Sequence, residues 1–315
     1  MRDNQHKRGK AIHRRTGQTF YYATRLLPRR IREQTYVLYG FFRIADEIVD
    51  NGRGHSASAK RAELEKLREE ALGQAEARDP VVAAFASVRE TTEIPEKEVN
   101  RFIDAMLMDI DTDRYESHEE LSTYMRGSAA AVGNMMTAIM SVDNPEKARP
   151  HAMALGEAFQ LTNFIRDVRE DSRELGRIYI PQETLREYDV SPGDIESETA
   201  TSGFKQAIRS EIRLAENRYR KGVEGIKYLP SDCQFAVVLA AVLYAEHHTL
   251  VRDQEYDVLR SRPELSRRRK LWTVARTWWS WKRFRDPATV FRRVSAIPET
   301  DRTSGELDRP IPSPE

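Results

Sequence analysis

Apolar residues recur along most of this chain at intervals of three and four, the spacing of one face of an α-helix. That period predicts helices over about 10–26, 30–51, 57–77, 80–91, 96–110, 118–141, 146–173, 203–228, 232–253 and 267–285. Pro28, Pro80, Pro95, Pro145 and Pro230 fall at or near proposed starts and breaks, where a residue with fixed φ and no N–H is tolerated. No segment sustains the alternation of a half-buried strand, and no Asn-Gly turn joins two strand-like runs, so the expected fold is all-α. The longest lapse covers 176–200, and no linker splits the chain. Residues 1–10 are expected to be flexible, 11–290 to form one domain, and 296–315, with Pro298, Pro310, Pro312 and Pro314 among few apolar residues, to be disordered.

Polar residues interrupt two of the most apolar helices. Asp46 and Asp50 follow YVLYGFFRIA, and Asp167 and Asp171 lie four apart beyond ALGEAFQLTNFI. Residues four apart share a helix face, and two like charges there destabilise an isolated helix by a few tenths of a kcal/mol. A divalent cation would offset that repulsion, since Mg²⁺ favours carboxylates, substrate phosphates and retained water. Spacing alone is weak, because chance gives roughly one such pair in a chain of this composition. Asp109/Asp113 and Asp253/Asp257 share the spacing. The latter pair sits at a helix end among other charges and reads as a solvated face. Asp109, Asp111 and Asp113 resemble the start of a calcium loop, but Arg114 occupies the position that needs glycine. A polar helix end or loop is the reading there.

Gln160, Asn163, Asp167 and Asp171 step by three, four and four along one helix face, and Tyr39, Arg43, Asp46 and Asp50 by four, three and four along another. Such a polar stripe on an apolar helix is either an interhelical hydrogen-bond network or the lining of a metal-diphosphate site. Arg43 suits either a diphosphate or a neighbouring carboxylate, and Tyr39 suits a cavity wall or ordinary packing.

Composition narrows the function classes. The 315 residues include 39% hydrophobic and 32% charged side chains, with a net charge of +1, so bulk charge argues against a nucleic-acid binder. The one cysteine, Cys233, precludes an intrachain disulfide and suits a reducing compartment; it reads as a small residue near a helix start. The basic N-terminus lacks a following apolar stretch, and no run of about 18 apolar residues is apparent, so no segment is expected to span a membrane.

At this point the chain resembles the phytoene/squalene synthase family of head-to-head prenyl transferases. The resemblance is carried, in order, by TGQTFYYATRLLP, YGFFRIADEIVD, YMRGSAAAVG, AFQLTNFIRDVREDSRELGRIYIPQE and EYDVLRSRPELSRRRKLW, between about residues 12 and 275. It implies an all-α isoprenoid-synthase fold with a central cavity. Two aspartate-rich helices would hold Mg²⁺, with Mn²⁺ as an alternative, through Asp46, Asp50, Asn163, Asp167 and Asp171. Gln160 and Asn163 would line the second of these sites, Arg43 and Arg166 would contact the diphosphates, Phe20 would begin the allylic pocket, and Tyr39, Tyr124 and Tyr244 would stand near the reacting carbons.

Three positions depart from the family pattern. Arg15-Thr16-Gly17-Gln18 replaces a stretch that often carries His-Ser, Glu47 stands where a second aspartate is common, and Glu255 replaces the glycine before Tyr-Asp-Val. The closing segment favours two geranylgeranyl diphosphates as substrates and phytoene as product, the first committed step of carotenoid biosynthesis, with no need for NADPH. Farnesyl diphosphate giving dehydrosqualene or squalene is the alternative, and a non-catalytic helical assembly factor a second one. The expected protein is a cytoplasmic monomer. Residues 267–285 mix eight basic residues with all four tryptophans, which suits a helix lying at the inner membrane face; the alternative is a terminal helix packed on the core with solvated basic residues.

Overall fold

Most helices begin at a residue able to bond the first open backbone N–H groups. The computed structural model of the protein describes residues 22–50 and 56–298. After a helical stretch at 22–24, the chain forms α1 (Arg29–Asp50), α2 (Ala57–Leu72), α3 (Pro80–Thr91), α4 (Glu96–Met108) and α5 (His118–Met125). A π-helical turn (Arg126–Ala130) leads into α6 (Ala131–Ile139) and the long α7 (Pro145–Glu170), which passes into a second π-turn (Asp171–Leu175). The short α8 (Gln182–Glu187) and α9 (Pro192–Glu196) precede α10 (Ser202–Val223), a 3₁₀ turn (Ile226–Tyr228), α11 (Ser231–Asp253), α12 (Arg267–Phe284) and α13 (Pro287–Val294). No strand occurs among the described residues; Arg114 and Ile178 form an isolated bridge. Side chains of Ser56, Asp79, Asn144, Thr201, Ser266 and Asp286 accept the opening N–H bonds of their helices.

The boundaries differ from the periodic reading where local chemistry intervenes. The helix expected over 57–77 stops at Leu72, because Gly73 takes φ 74° and ends it as a left-handed cap. The helix expected over 118–141 is broken by a π-turn, and the 176–200 lapse holds α8 and α9. α13 was not expected at all, although Asp286-Pro287 is a strong start signal. It buries Val290, Phe291 and Val294 with Ile297 against Tyr219 and Trp281. The folded chain therefore runs past 290, and of the expected tail, Ile297 is buried and the Pro298 carbonyl accepts a bond from Arg220. The remainder of that tail and residues 1–10 lie outside the described residues.

α7 is the spine of the molecule, with α10 along one side and α6 along another. Two glycines set the second contact. A Cβ on Gly133 would lie 2.4 Å from the Ala152 carbonyl oxygen, and one on Gly156 2.5 Å from that of Ala129. On the far side, Phe41 stacks on Phe85 with ring centroids 4.0 Å apart, and Phe102 closes the cluster between α1, α3 and α4. α11 carries an 18-residue window of mean hydropathy 1.3, enough by length and composition to cross a bilayer, contrary to the reading above. Yet 72% of that window is buried inside the fold, so its apolarity serves packing. Cys233 is buried in its first turn.

Beyond α11 the backbone is strained where the family pattern has glycine. Glu255 has φ 52° and Tyr256 φ 63°, a region costly for any residue with a Cβ. The Glu255 side chain gains only a distant contact with Lys205, at 3.9 Å. Glu255→Gly is expected to stabilise the protein by about 0.5–1 kcal/mol, read as a higher urea midpoint at unchanged slope; an unchanged or lower midpoint would contradict this account.

Candidate active site

α1 and α7 each place apolar residues ahead of charged ones along a shared cavity of about 480 Å³. From α1 come Leu38, Tyr39, Phe42, Arg43, Asp46 and Asp50, and from α7 come Leu155, Phe159, Gln160, Asn163, Arg166 and Asp167, followed by Asp171. Tyr124 and Tyr244 line the same space. The structure thus gathers every candidate side chain named above into one cavity, apart from Phe20, which lies outside the described residues.

The acids sit where a helix least favours them. Asp50 is the last residue of α1 and Asp171 the C-cap of α7, so both stand at the negative ends of helix dipoles. A cation at such an end is worth roughly 0.3–1 kcal/mol. Arginines supply part of that compensation. Arg166 grips Asp167 with Nε at 2.7 Å and Nη2 at 2.5 Å, and Arg262 adds a bond of 2.8 Å from the loop before α12. Arg43 approaches Asp46 at 3.4 Å. Arg177 joins three acidic helix ends, those of α1, α4 and α7: its Nη1 donates to Asp50 at 3.2 Å, its Nη2 to the Asp109 carbonyl at 2.7 Å, and its backbone N–H to the Asp171 carbonyl at 3.0 Å.

Asp109 caps the C-terminus of α4, the polar helix end expected there, but its place in this site was not expected. It is 7% exposed, lines the cavity, and accepts bonds from the hydroxyls of Tyr124 at 2.9 Å and Tyr179 at 3.5 Å. Arg177, Tyr179 and Arg262 were likewise assigned no role. Arg177 and Tyr179 lie past the end of α7, where helical counting stops, and Arg262 comes from a distant loop. The remaining acids are elsewhere: Asp111 pairs with Arg61, Asp253 with Arg269, and Asp257 caps the Arg260 N–H.

Burial and mutual repulsion leave several carboxylates reluctant to ionise. Desolvation, with Asp167 beside it, pushes Asp171 up to about 8, and desolvation with Asp50 and Asp109 nearby raises Asp46 to about 7 against the pull of Arg43. The Asp46 side chain keeps 38% exposure, because it faces the cavity, and water there softens its shift. Desolvation also lifts Asp109 to about 6, with Arg177 opposing. Asp167 goes the other way: burial would raise it, but Arg166 and Arg262 hold it below the usual carboxylate range.

This donor set fits a cation that arrives with an anion. Among the described residues no three acidic, histidine or cysteine side chains form a metal cage by themselves. Mg²⁺ does not require one, since it takes one or two carboxylates and completes its shell with phosphates and water. The buried Asn163 Oδ1 has no hydrogen-bond partner among the described residues, an acceptor left over beside Asp167.

The architecture is that of the all-α isoprenoid synthases. It matches the crystal structure of a dehydrosqualene synthase in complex with ligand at a TM-score of 0.81 and 26% identity, over 90% of this chain and 98% of that one. Residues 13–269 match the squalene/phytoene synthase family, and the chain belongs to that family of prenyl-transferring enzymes. It is 32% identical over 264 residues to the phytoene synthase of Rhodobacter capsulatus, covering 83% of this chain and 77% of that protein. It is 29% identical over 268 residues to the 15-cis-phytoene synthase of Synechococcus elongatus, covering 82% and 87%.

The raised Asp171 also makes the site a local weakness. Its carboxyl titrates near 8 in the fold against an ordinary 3.8, so the native state holds the proton more tightly. The stability this contributes is full below the ordinary value and is lost as pH rises through about 8. Asp171→Asn keeps the neutral form at every pH. It is expected to raise the urea midpoint of the unliganded protein at pH 8, with little gain at pH 4, while nearly abolishing turnover. Wild-type turnover in this variant, with helicity intact, would remove Asp171 from the site.

Proposed function

We propose that this protein joins two molecules of geranylgeranyl diphosphate head to head, through a cyclopropyl diphosphate, to give phytoene. The observation that carries the reading is the convergence of two acidic helix ends and their arginines on one apolar, aromatic cavity. The names of the relatives favour a C20 substrate. Intact acid pairs around a cavity argue against a non-catalytic scaffold.

Each substrate brings a strongly anionic head and a long hydrocarbon tail, and the cavity offers a partner for each. Arg43, Arg166 and Arg177 would receive phosphate oxygens, and Asp46, Asp50, Asn163, Asp167 and Asp171 would hold Mg²⁺. When bound, that metal neutralises the negative charge that grows on diphosphate as its C–O bond breaks. Loss of the first diphosphate leaves an allylic cation at C1. Apolar walls keep water from quenching it, and the ring faces of Phe42, Phe159 and Tyr244 stabilise positive charge. The double bond of the second substrate attacks C1, and proton loss closes the cyclopropane. Departure of the second diphosphate, rearrangement and a further proton loss complete the hydrocarbon. No protein nucleophile takes part, so the side chains bind, orient and exclude water. Fixed charges of this kind contribute about 10²–10³ in rate each.

Purified protein incubated with Mg²⁺ and geranylgeranyl diphosphate, without NADPH, is expected to yield a C40 hydrocarbon with a conjugated triene, identified by chromatography of the organic extract. A C30 product formed only from farnesyl diphosphate would reassign the substrate, and no product from either would refute the reading. The raised Asp46 and Asp171 add a pH signature. Cation binding must displace their protons, so the Mg²⁺ concentration for half-maximal rate is expected to fall as pH rises from 6 to 8.5, by up to about tenfold per unit for each proton displaced. A requirement independent of pH would show that these carboxyls do not meet the metal.

A further inference from the structure

The large apolar side chains that the described fold leaves exposed are confined to two adjoining segments: Tyr22 and Leu26, and Leu271, Trp272, Trp278 and Trp279 of α12. Leu271 is 71% exposed, Trp272 64% and Trp279 74%, although tryptophan in a folded domain is normally largely covered. At 100° per residue, Leu271, Trp272, Ala275, Trp278 and Trp279 fall on one arc, while Thr273, Thr277 and Trp281 turn inward. Arg268, Lys282 and Arg283 share the outward arc, and α12 contains no acidic residue. In a chain of net charge +1, this basic aromatic face is a local specialisation.

The two segments meet, since the Lys270 ammonium lies 5.8 Å from the Tyr22 ring. They also adjoin the active site: Ala23, Thr24 and Leu27 line the cavity, while Tyr22 and Leu26 of the same short segment are exposed on the outside.

We propose that the outer face of α12, with Tyr22 and Leu26, docks on the surface of an anionic phospholipid bilayer. Tryptophan rings and Leu271 enter the headgroup boundary, and Arg268, Lys282 and Arg283 meet the lipid phosphates. The complementarity is of both kinds, charge and polarity, which a solvated surface helix does not need. Docking would lay one wall of the cavity, residues 22–27, against the bilayer. A long hydrocarbon then has a short path between cavity and membrane.

The test uses a reporter the sequence supplies: all four tryptophans lie on α12. The full-length protein is mixed with phosphatidylcholine vesicles with or without phosphatidylglycerol, followed by flotation and by tryptophan emission with brominated-lipid quenching. Binding to the anionic vesicles, a blue shift and quenching are expected. The double variant Trp272→Ser/Trp279→Ser should weaken binding by about tenfold or more, and Arg268→Glu/Lys282→Glu should abolish the preference for anionic lipid. Both should keep wild-type turnover on detergent-dispersed substrate, since none of the four residues lines the cavity. If the tryptophan variant fails to fold, the charge variant decides. Equal binding by wild type and both variants would overturn the proposal. So would emission already blue-shifted and unquenchable in the free protein, which would mean the face is covered. A dimer dissolved by Trp279→Ser, or binding to single-stranded RNA in place of vesicles, would also overturn it. Vesicle binding requires no prenyl substrate, so its failure is separate from failure of the proposed reaction.

Discussion

Arg177 holds Asp50 and the Asp109 carbonyl with its guanidinium while its own backbone N–H binds the Asp171 carbonyl. Through that residue the negative ends of three helices, and the carboxylates they carry, are kept around one space that would otherwise spread under its own repulsion. The surrounding fold serves this arrangement. α7 is clamped by α6 and α10 so that its last turn stays in place. The π-turn after Glu170 redirects the chain, and Gly176, at φ 70°, ends that turn one residue ahead of Arg177. Arginines near the acids leave room for more positive charge, which is what a site for an anion and its counter-ion requires.

How far the sequence revealed this depended on whether the information was periodic. Asp46 with Asp50, and Gln160 and Asn163 with Asp167 and Asp171, stood out because a polar stripe on an apolar helix is a local anomaly. Most helices were visible for the same reason. Asp109 was hidden by a polar run, DIDTD, that looks like any helix end; only the fold shows that its first member turns inward to Tyr124 and Tyr179 while Asp111 turns out to Arg61. Arg177 and Arg262 act across long sequence separations, and no spacing rule reaches them. α13 is a different case, since Asp286-Pro287 announced it locally, but eight residues are too few for the apolar period to register.

The same side chains that equip the cavity tax the fold. Asp171 and Asp46 stand partly desolvated beside other acids in the last turns of their helices, and desolvation opposes their ionised forms. At the outer edge of α11, Glu255 and Tyr256 hold a left-handed bend without a glycine. The extensive core formed along α1, α4, α7 and α10 supplies the stability against which such costs are set.

Gly133 and Gly156 give the cavity one dimension unlike the others. Both line it: Gly133 of α6 is pressed against the Ala152 carbonyl of α7, and Gly156 of α7 against the Ala129 carbonyl of the π-turn that leads into α6. The separation of α6 and α7 is therefore set by backbone touching backbone, with no side chain between to trim. Met136, Met140 and Leu155, on those same walls, are the side chains whose size sets the remaining space. Divergence in hydrocarbon length within such a fold can thus proceed by refitting the upholstery while the frame between these two helices keeps a fixed gauge.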